Sequence, residues 1–437
     1  MTIELEITHF FEQVEIPEDE VERLLKIASW QIMPQFPHPG RTAWHVFNKP
    51  VYLKKNKEKI FYAAKLKGVG VWNPGKAHLY SGVHHQQGAS SETPLPPTTE
   101  EYKFTASIAH IGFTECGCFE EVHSEPAPFG GILHRRAVQE YENASRLLIQ
   151  GVPAIVPLMV ARLPDCYKFM DQDMGVVCVL SEEVEPYRLH LIHFGESELT
   201  EQEHKYYTRL RQEIGISGDI SDEDTRLRLI NALTGQIGKL MHNFSAAGLY
   251  RYSGGWEDLQ FCIKNKGLFL VDLDSCRCLA ELPPCSRPLQ ILRDISSSIH
   301  KLLNMFYYPT VLDKYTFSNL VANDPISEML SAYFPASKDE EIKRVAARFW
   351  DYFAPHFFQM KRYRNQVLGE WEGERRKSYK MDDDIFFTLS IINLFPLYCE
   401  SDLNSIYPSE FTLDDLRKRA RVFLGERYQY LSYLLAD

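Results

Sequence analysis

The hydrophobic period changes along this chain, and that change most restricts how it can fold. Over the first 160 residues the apolar residues sit in short β-rich runs broken by glycine and proline; later they recur at helical spacing. Lys59-Ile-Phe-Tyr-Ala-Ala-Lys-Leu-Lys67 reads as a strand stopped by Gly68-Val-Gly70. Residues 81–101 shift to His, Gln, Ser, Thr and Pro, the texture of a surface insertion. Strand-like text resumes at Tyr102–Phe119, a turn follows around Pro126–Gly131, and Ala137–Gln150 reads as a helix closed by Gly151-Val-Pro153. After Val160 the text is largely helical, with Ser221-x-x-Asp224, Ser337-x-x-Glu340 and Thr412-x-x-Asp415 as helix starts. One stretch interrupts it. Gly248–Leu279 reads as loop, strand, turn and strand, with a hairpin over Cys262–Val271 and Asn265-Lys266-Gly267 at its tip.

The expected fold class is α+β, a protein-kinase-like bilobal fold. The small β-rich N-lobe spans 1–160 with one key helix and an insertion at about 71–130. The larger helical C-lobe spans 161–437 and carries the hairpin region 248–279. At roughly 150 residues per domain, 437 residues suit two or three units, enough to bury a core without metal or disulfide staples.

Charge and cysteine content narrow the partners and the compartment. With 48 Lys+Arg against 59 Asp+Glu, the net charge of −11 argues against broad nucleic-acid or membrane-surface binding. No apolar run is long enough to span a bilayer, and Met1-Thr-Ile-Glu-Leu-Glu6 has neither the basic nor the apolar region of a secretory signal. Nine cysteines, an odd number scattered over the chain, suit a reducing compartment, so a cytoplasmic location is expected. Cys116/Cys118 and Cys276/Cys278 lack the Cys-x2–4-Cys spacing of structural zinc sites, and His84 and His85 lie in polar loop text. None of these is assigned a metal.

Nucleotide chemistry on a kinase-like fold needs a Lys on the phosphates, a helical Glu to orient it, and oxygen ligands for Mg²⁺. Lys67 ends its strand just before the glycine turn, and Glu140 lies in the helix that follows. Asp272 comes directly after Leu268-Phe-Leu-Val271, and a carboxylate at the end of a buried strand costs desolvation unless it is paired or binds metal. Gly254-Gly-Trp-Glu257-Asp258 adds two loop carboxylates before the hairpin. Asp258 and Asp272 are the expected Mg²⁺ ligands, and Glu257 or Asp274 the candidate base. Replacing Lys67 by Ala is expected to leave folding nearly intact.

These segments resemble the selenoprotein O family of kinase-like enzymes. Lys67-Gly-Val-Gly70 is similar to that family's Lys-Gly-Ala-Gly turn. Ala137–Pro153 resembles its helix ending in Leu-Gly-Ile-Pro, and Gly248–Asp258 has the length of its Asn-containing metal loop. Val271-Asp272-Leu-Asp274 is similar to its Ile-Asp-Tyr-Gly. The resemblance implies transfer of AMP from ATP to protein hydroxyls, with the nucleotide reversed. It further implies that Lys67 and Glu140 form the phosphate-holding pair, Asp258 and Asp272 bind the metal, Glu257 is the base and Arg188 contacts phosphate. Three classes stay open on the residues: this AMP-transferring modifier, a conventional phosphotransferase on a small molecule or peptide, and a nucleotide-binding pseudokinase without catalysis. The implied cofactors are ATP and Mg²⁺. The expected partner is a protein, peptide or small-molecule acceptor, with no nucleic acid and no membrane.

Overall fold

The computed structural model describes residues 3–37, 41–72, 84–85, 94–97, 102–104, 109–123, 125, 127–128, 130–183, 189, 201–251, 259–262, 267–306, 311–369 and 381–435. They form a mixed α/β structure in two compact units. The first comprises Met1–His110, His123–Pro186 and Leu270–Arg277; the second comprises Ile111–Val122, Tyr187–Phe269 and Cys278–Asp437.

The first unit is built on an antiparallel sheet. Its long strands are β1 (Glu6–Phe10), β2 (Thr42–Leu53), β3 (Asn56–Lys67), β4 (Val156–Arg162) and β5 (Gln172–Ser181), in the spatial order β1-β4-β5-β3-β2. Helix α1 (Glu18–Ala28) shares one apolar cluster with the sheet: Leu24 and Ile27 meet Ala64, Leu66, Leu158, Cys178 and Leu180. Because side chains alternate along a strand, Ala64 and Leu66 turn into that cluster and leave Lys65 and Lys67 on the opposite face. There they stand opposite Val179 and Val177 of β5. Helix α2 (His134–Ile149) stops at Gly151, whose φ of +71° is the left-handed conformation that glycine adopts without steric cost.

The expected strand over Lys59–Lys67 and the helix from Ala137 are present, each starting slightly earlier than its text suggests. The chain after Val160 does not turn helical at once. Gln172–Ser181 is a central strand of the sheet, and its run of apolar residues reflects burial on both faces rather than a helical period.

The second unit is mainly helical: α3 (Glu223–Ala246), α4 (Ser286–Phe306), α5 (Pro325–Tyr333), α6 (Asp339–Gly369), α7 (Asp383–Cys399) and α8 (Leu413–Leu424). Gly238 lets α3 approach α5 closely, since a Cβ there would lie 2.1 Å from the Met329 carbonyl oxygen. Thr412 and Asp415 form the expected capping box of α8. Ser221 does not cap α3. Asp222 is the N-cap, and Ser221 instead donates to Asp219 through its backbone N–H (2.8 Å) and its hydroxyl (2.7 Å). The expected hairpin is present as β6 (Leu259–Cys262) and β7 (Gly267–Leu270); most of its tip lies outside the described residues.

Candidate active site

Lys67 is where the charged groups of the first unit converge. Its side chain is 3% exposed, and its Nζ lies 2.5 Å from Glu140 Oε2, 3.0 Å from Asp272 Oδ1 and 2.9 Å from Asp274 Oδ1. A buried ammonium is tolerable only with such compensation, because removing an ion from water costs several kcal/mol even after the protein relaxes (about that order). Two further cations complete the cluster: Lys65 Nζ lies 3.3 Å from Asp272 Oδ1, and Arg41 donates to Asp274 Oδ2 at 2.9 Å. Arg41, Lys65 and Lys67 thus face Glu140, Asp272 and Asp274, three charges of each sign.

Each member arrives by a local cause. The strand period puts both lysines on one face, and pairing of Thr42 with Lys67 brings Arg41 to the strand end. Gly68 makes this turn possible, with φ +94° and room for no Cβ beside the Gly175 carbonyl, while its N–H donates to the Arg41 carbonyl at 2.8 Å. One face of α2 holds the acidic segment in place. Arg136 donates to the Asp274 carbonyl (3.1 Å), Asn143 donates to the carbonyls of Leu273 (3.0 Å) and Cys276 (3.1 Å), and Arg277 donates to Gln139. Residues 136, 139, 140 and 143 follow the i, i+3, i+4, i+7 spacing that lines a single helix face. Asp272 itself adopts φ +55°, ψ +51°, a left-handed conformation that costs a non-glycine residue free energy and that clusters at functional sites.

The electrostatics follow from this packing. Burial works against the Lys67 cation, but the charges of Asp272, Asp274 and Glu140 outweigh it and hold the ammonium above its ordinary value. Burial pushes the Glu140 carboxyl up, with Lys67 opposing. Burial also acts to raise Asp274, yet Lys67 and Arg41 overcome it and keep that carboxyl well below the usual carboxylate range. A carboxylate held ionised this firmly is a poor proton acceptor, so Asp274 fits an ion-pairing role better than that of a base.

In the second unit, buried Asp294 of α4 accepts two hydrogen bonds. The Arg251 N–H donates to Asp294 Oδ2 at 2.7 Å, and Gln290 donates to its Oδ1 at 3.2 Å. Burial pushes the Asp294 carboxyl up to about 7, against the nearby Arg293 charge.

Of the expected site residues, Lys67, Glu140 and Asp272 come together. Glu257, Asp258 and Arg188 lie outside the described residues. Sequence reasoning missed Arg41, Lys65, Arg136, Asn143 and Asp294. The Lys65-Leu-Lys67 alternation was a usable signal for one of them.

Among the described residues no three of His, Cys, Asp and Glu cluster to hold a metal, and no helix is long and apolar enough to cross a membrane. No family model and no curated protein matches the chain. Among solved structures, "WaaP in complex with acyl carrier protein" aligns at 14% identity over 66% of this chain and 94% of that chain, with a TM-score of 0.31. So loose a superposition carries no argument, and the selenoprotein O resemblance rests on its quoted segments alone.

Proposed function

We propose that this chain is an ATP-dependent transferase of kinase-like organisation that works with Mg²⁺. The observation that carries the reading is the buried Lys67–Glu140 ion pair beside Asp272. It joins a central-strand lysine, a glutamate from the following helix and an aspartate beyond the hairpin, the parts a kinase uses to hold nucleotide and metal. The donor set suits the cofactors. Lys67 and Glu140 are sealed at 3% and 1% exposure, whereas Asp272 is 20% exposed, so of these three the group nearest solvent is a carboxylate, a hard oxygen donor. Mg²⁺ is commonly held by one or two carboxylates together with substrate phosphates, which removes the need for an all-protein cage.

In this reading Lys67 offsets phosphate charge, Glu140 fixes its direction, and Lys65 and Arg41 add positive potential. Asp272 and Asp258 hold the metal, which when bound neutralises charge on the phosphates. Glu257 accepts the acceptor's proton, and Arg188 contacts phosphate. AMP transfer to protein hydroxyls follows from the selenoprotein O resemblance; phosphoryl transfer to a small molecule or peptide uses the same described residues.

ATP labelled at the α- or γ-phosphate separates the outcomes. α-Label entering protein supports AMP transfer, and γ-label entering an acceptor supports a conventional kinase. Neither label moving, despite an ATP–Mg²⁺-induced rise in melting temperature, leaves a binding-only pseudokinase. Absence of any such rise overturns the proposal. Asp272→Ala is expected to abolish the Mg²⁺-dependent part of the rise, and an unchanged shift removes Asp272 from the site.

A further inference from the structure

We infer that Cys116 and Cys118 form a redox-active dithiol that closes to a disulfide by exchange with a low-molecular-weight disulfide. The pair belongs to the second unit and sits between the paired strands Ala109–Phe113 and Phe119–His123. The two sulfurs are 3.7 Å apart, Cys116 is exposed, and Cys118 is half-buried behind it. Backbone bonds fix the connection: the Gly117 N–H donates to the Thr114 carbonyl (2.8 Å) and the Thr114 N–H donates to the Cys118 carbonyl (2.9 Å).

Gly117 is required between the cysteines. Its φ is +73°, and a Cβ there would come within 2.5 Å of the Phe411 ring. Arg419 stacks over that ring at 4.4 Å, donates to the Cys116 carbonyl at 2.5 Å and lies 3.4 Å from Cys118 Sγ. Thr114 Oγ1 lies 3.2 Å from Cys116 Sγ and also accepts the Cys118 N–H at 3.0 Å. The Thr114 hydroxyl, followed by Cys118, lowers the Cys116 thiol from its ordinary value, which increases the thiolate available for attack.

The chemistry divides the roles. The exposed Cys116 thiolate attacks one sulfur of RSSR, forming Cys116–SR and releasing RS⁻, which takes up a proton. Cys118 then gives its proton to solvent and attacks the Cys116 sulfur, expelling the second RS⁻. Two electrons pass from the dithiol to RSSR, and the products are the Cys116–Cys118 disulfide and two RSH. A structural zinc role does not fit the one-residue spacing.

The test exposes the full chain to oxidised glutathione, alkylates the remaining thiols and maps each cysteine by mass. Cys116 and Cys118 are expected to lose reactivity together and to be linked to each other, while exposed Cys166 and Cys399 are still alkylated. In Cys118→Ser the reaction is expected to stop with glutathione retained on Cys116. Thr114→Val should move the pH profile of Cys116 alkylation upward, and Thr114→Ser should restore it. Separate glutathione adducts on Cys116 and Cys118, oxidation of Cys166 ahead of the pair, or an unmoved profile in Thr114→Val would overturn the inference.

Discussion

Asp274 and Asp294 are both buried aspartates, yet the protein drives their carboxyl groups in opposite directions. In the first unit Asp274 shares Lys67 and Arg41, and the two cations outweigh burial and keep it ionised. In the second unit Asp294 accepts from a backbone N–H and a glutamine amide, and burial prevails over the Arg293 charge to raise it to about 7. Burial alone therefore does not predict charge. Ion pairing with Lys67 and Arg41 holds Asp274 charged, whereas the backbone N–H and glutamine amide on Asp294 do not offset its burial.

The sharpest way to break this contrast is to remove the shared cation. Lys67→Ala leaves Glu140, Asp272 and Asp274 facing one another, and is expected to cost about 3–5 kcal/mol, read as a fall in denaturant midpoint. That reverses the expectation of near-intact folding drawn from the sequence, because the lysine is a buried counter-ion as well as a candidate phosphate ligand. A near-unchanged midpoint would mean that the cluster is hydrated enough to lose its centre.

Asp294→Ala should cost less, about 1–3 kcal/mol, since it strands the Arg251 N–H and the Gln290 amide rather than a set of charges. The pH dependence separates the two mechanisms. Asp294 titrates at about 7 folded against 3.8 unfolded, so its ionisation destabilises the fold progressively as pH rises through that window. Asp294→Asn should remove that decline, so a melting-temperature profile as steep as wild type between those values would contradict the assignment.

The smallest effect is expected from Arg41→Ala, about 1 kcal/mol, because the guanidinium is 24% exposed and Lys67 still pairs Asp274. Asp274 has a depressed folded value, so its contribution is present above 3.8 and is lost as pH falls below 3.8 toward the folded value. Losing Arg41 raises the folded value and narrows the gap, so the acid-side contribution shrinks. Acid unfolding should therefore begin at higher pH in the variant. Coincident acid limbs would show that Arg41 does not hold Asp274 down.

Strand β3, its Gly68 stop, helix α2 and the α8 capping box were legible along the chain, because each depends on contacts within a few residues. So were Lys67 and Asp272, since a charge at the end of an apolar run needs a partner wherever the chain takes it, while Glu140 was legible only as the helical acid that a kinase-like lysine requires. The central strand Gln172–Ser181 was misread because a strand buried on both faces loses the alternation that marks a half-exposed one.

What the sequence determined by itself was therefore local: period, turn, cap, and the demand of each buried charge for compensation. Which groups meet that demand was decided by tertiary structure. Arg41 reaches Asp274 across 233 positions because Thr42 pairs with Lys67, and the Arg251 N–H reaches Asp294 across 43 because α4 is buried on nearly every side. No short-range pattern encodes either meeting, since the free energy that fixes it comes from sheet register and core packing summed over the whole unit.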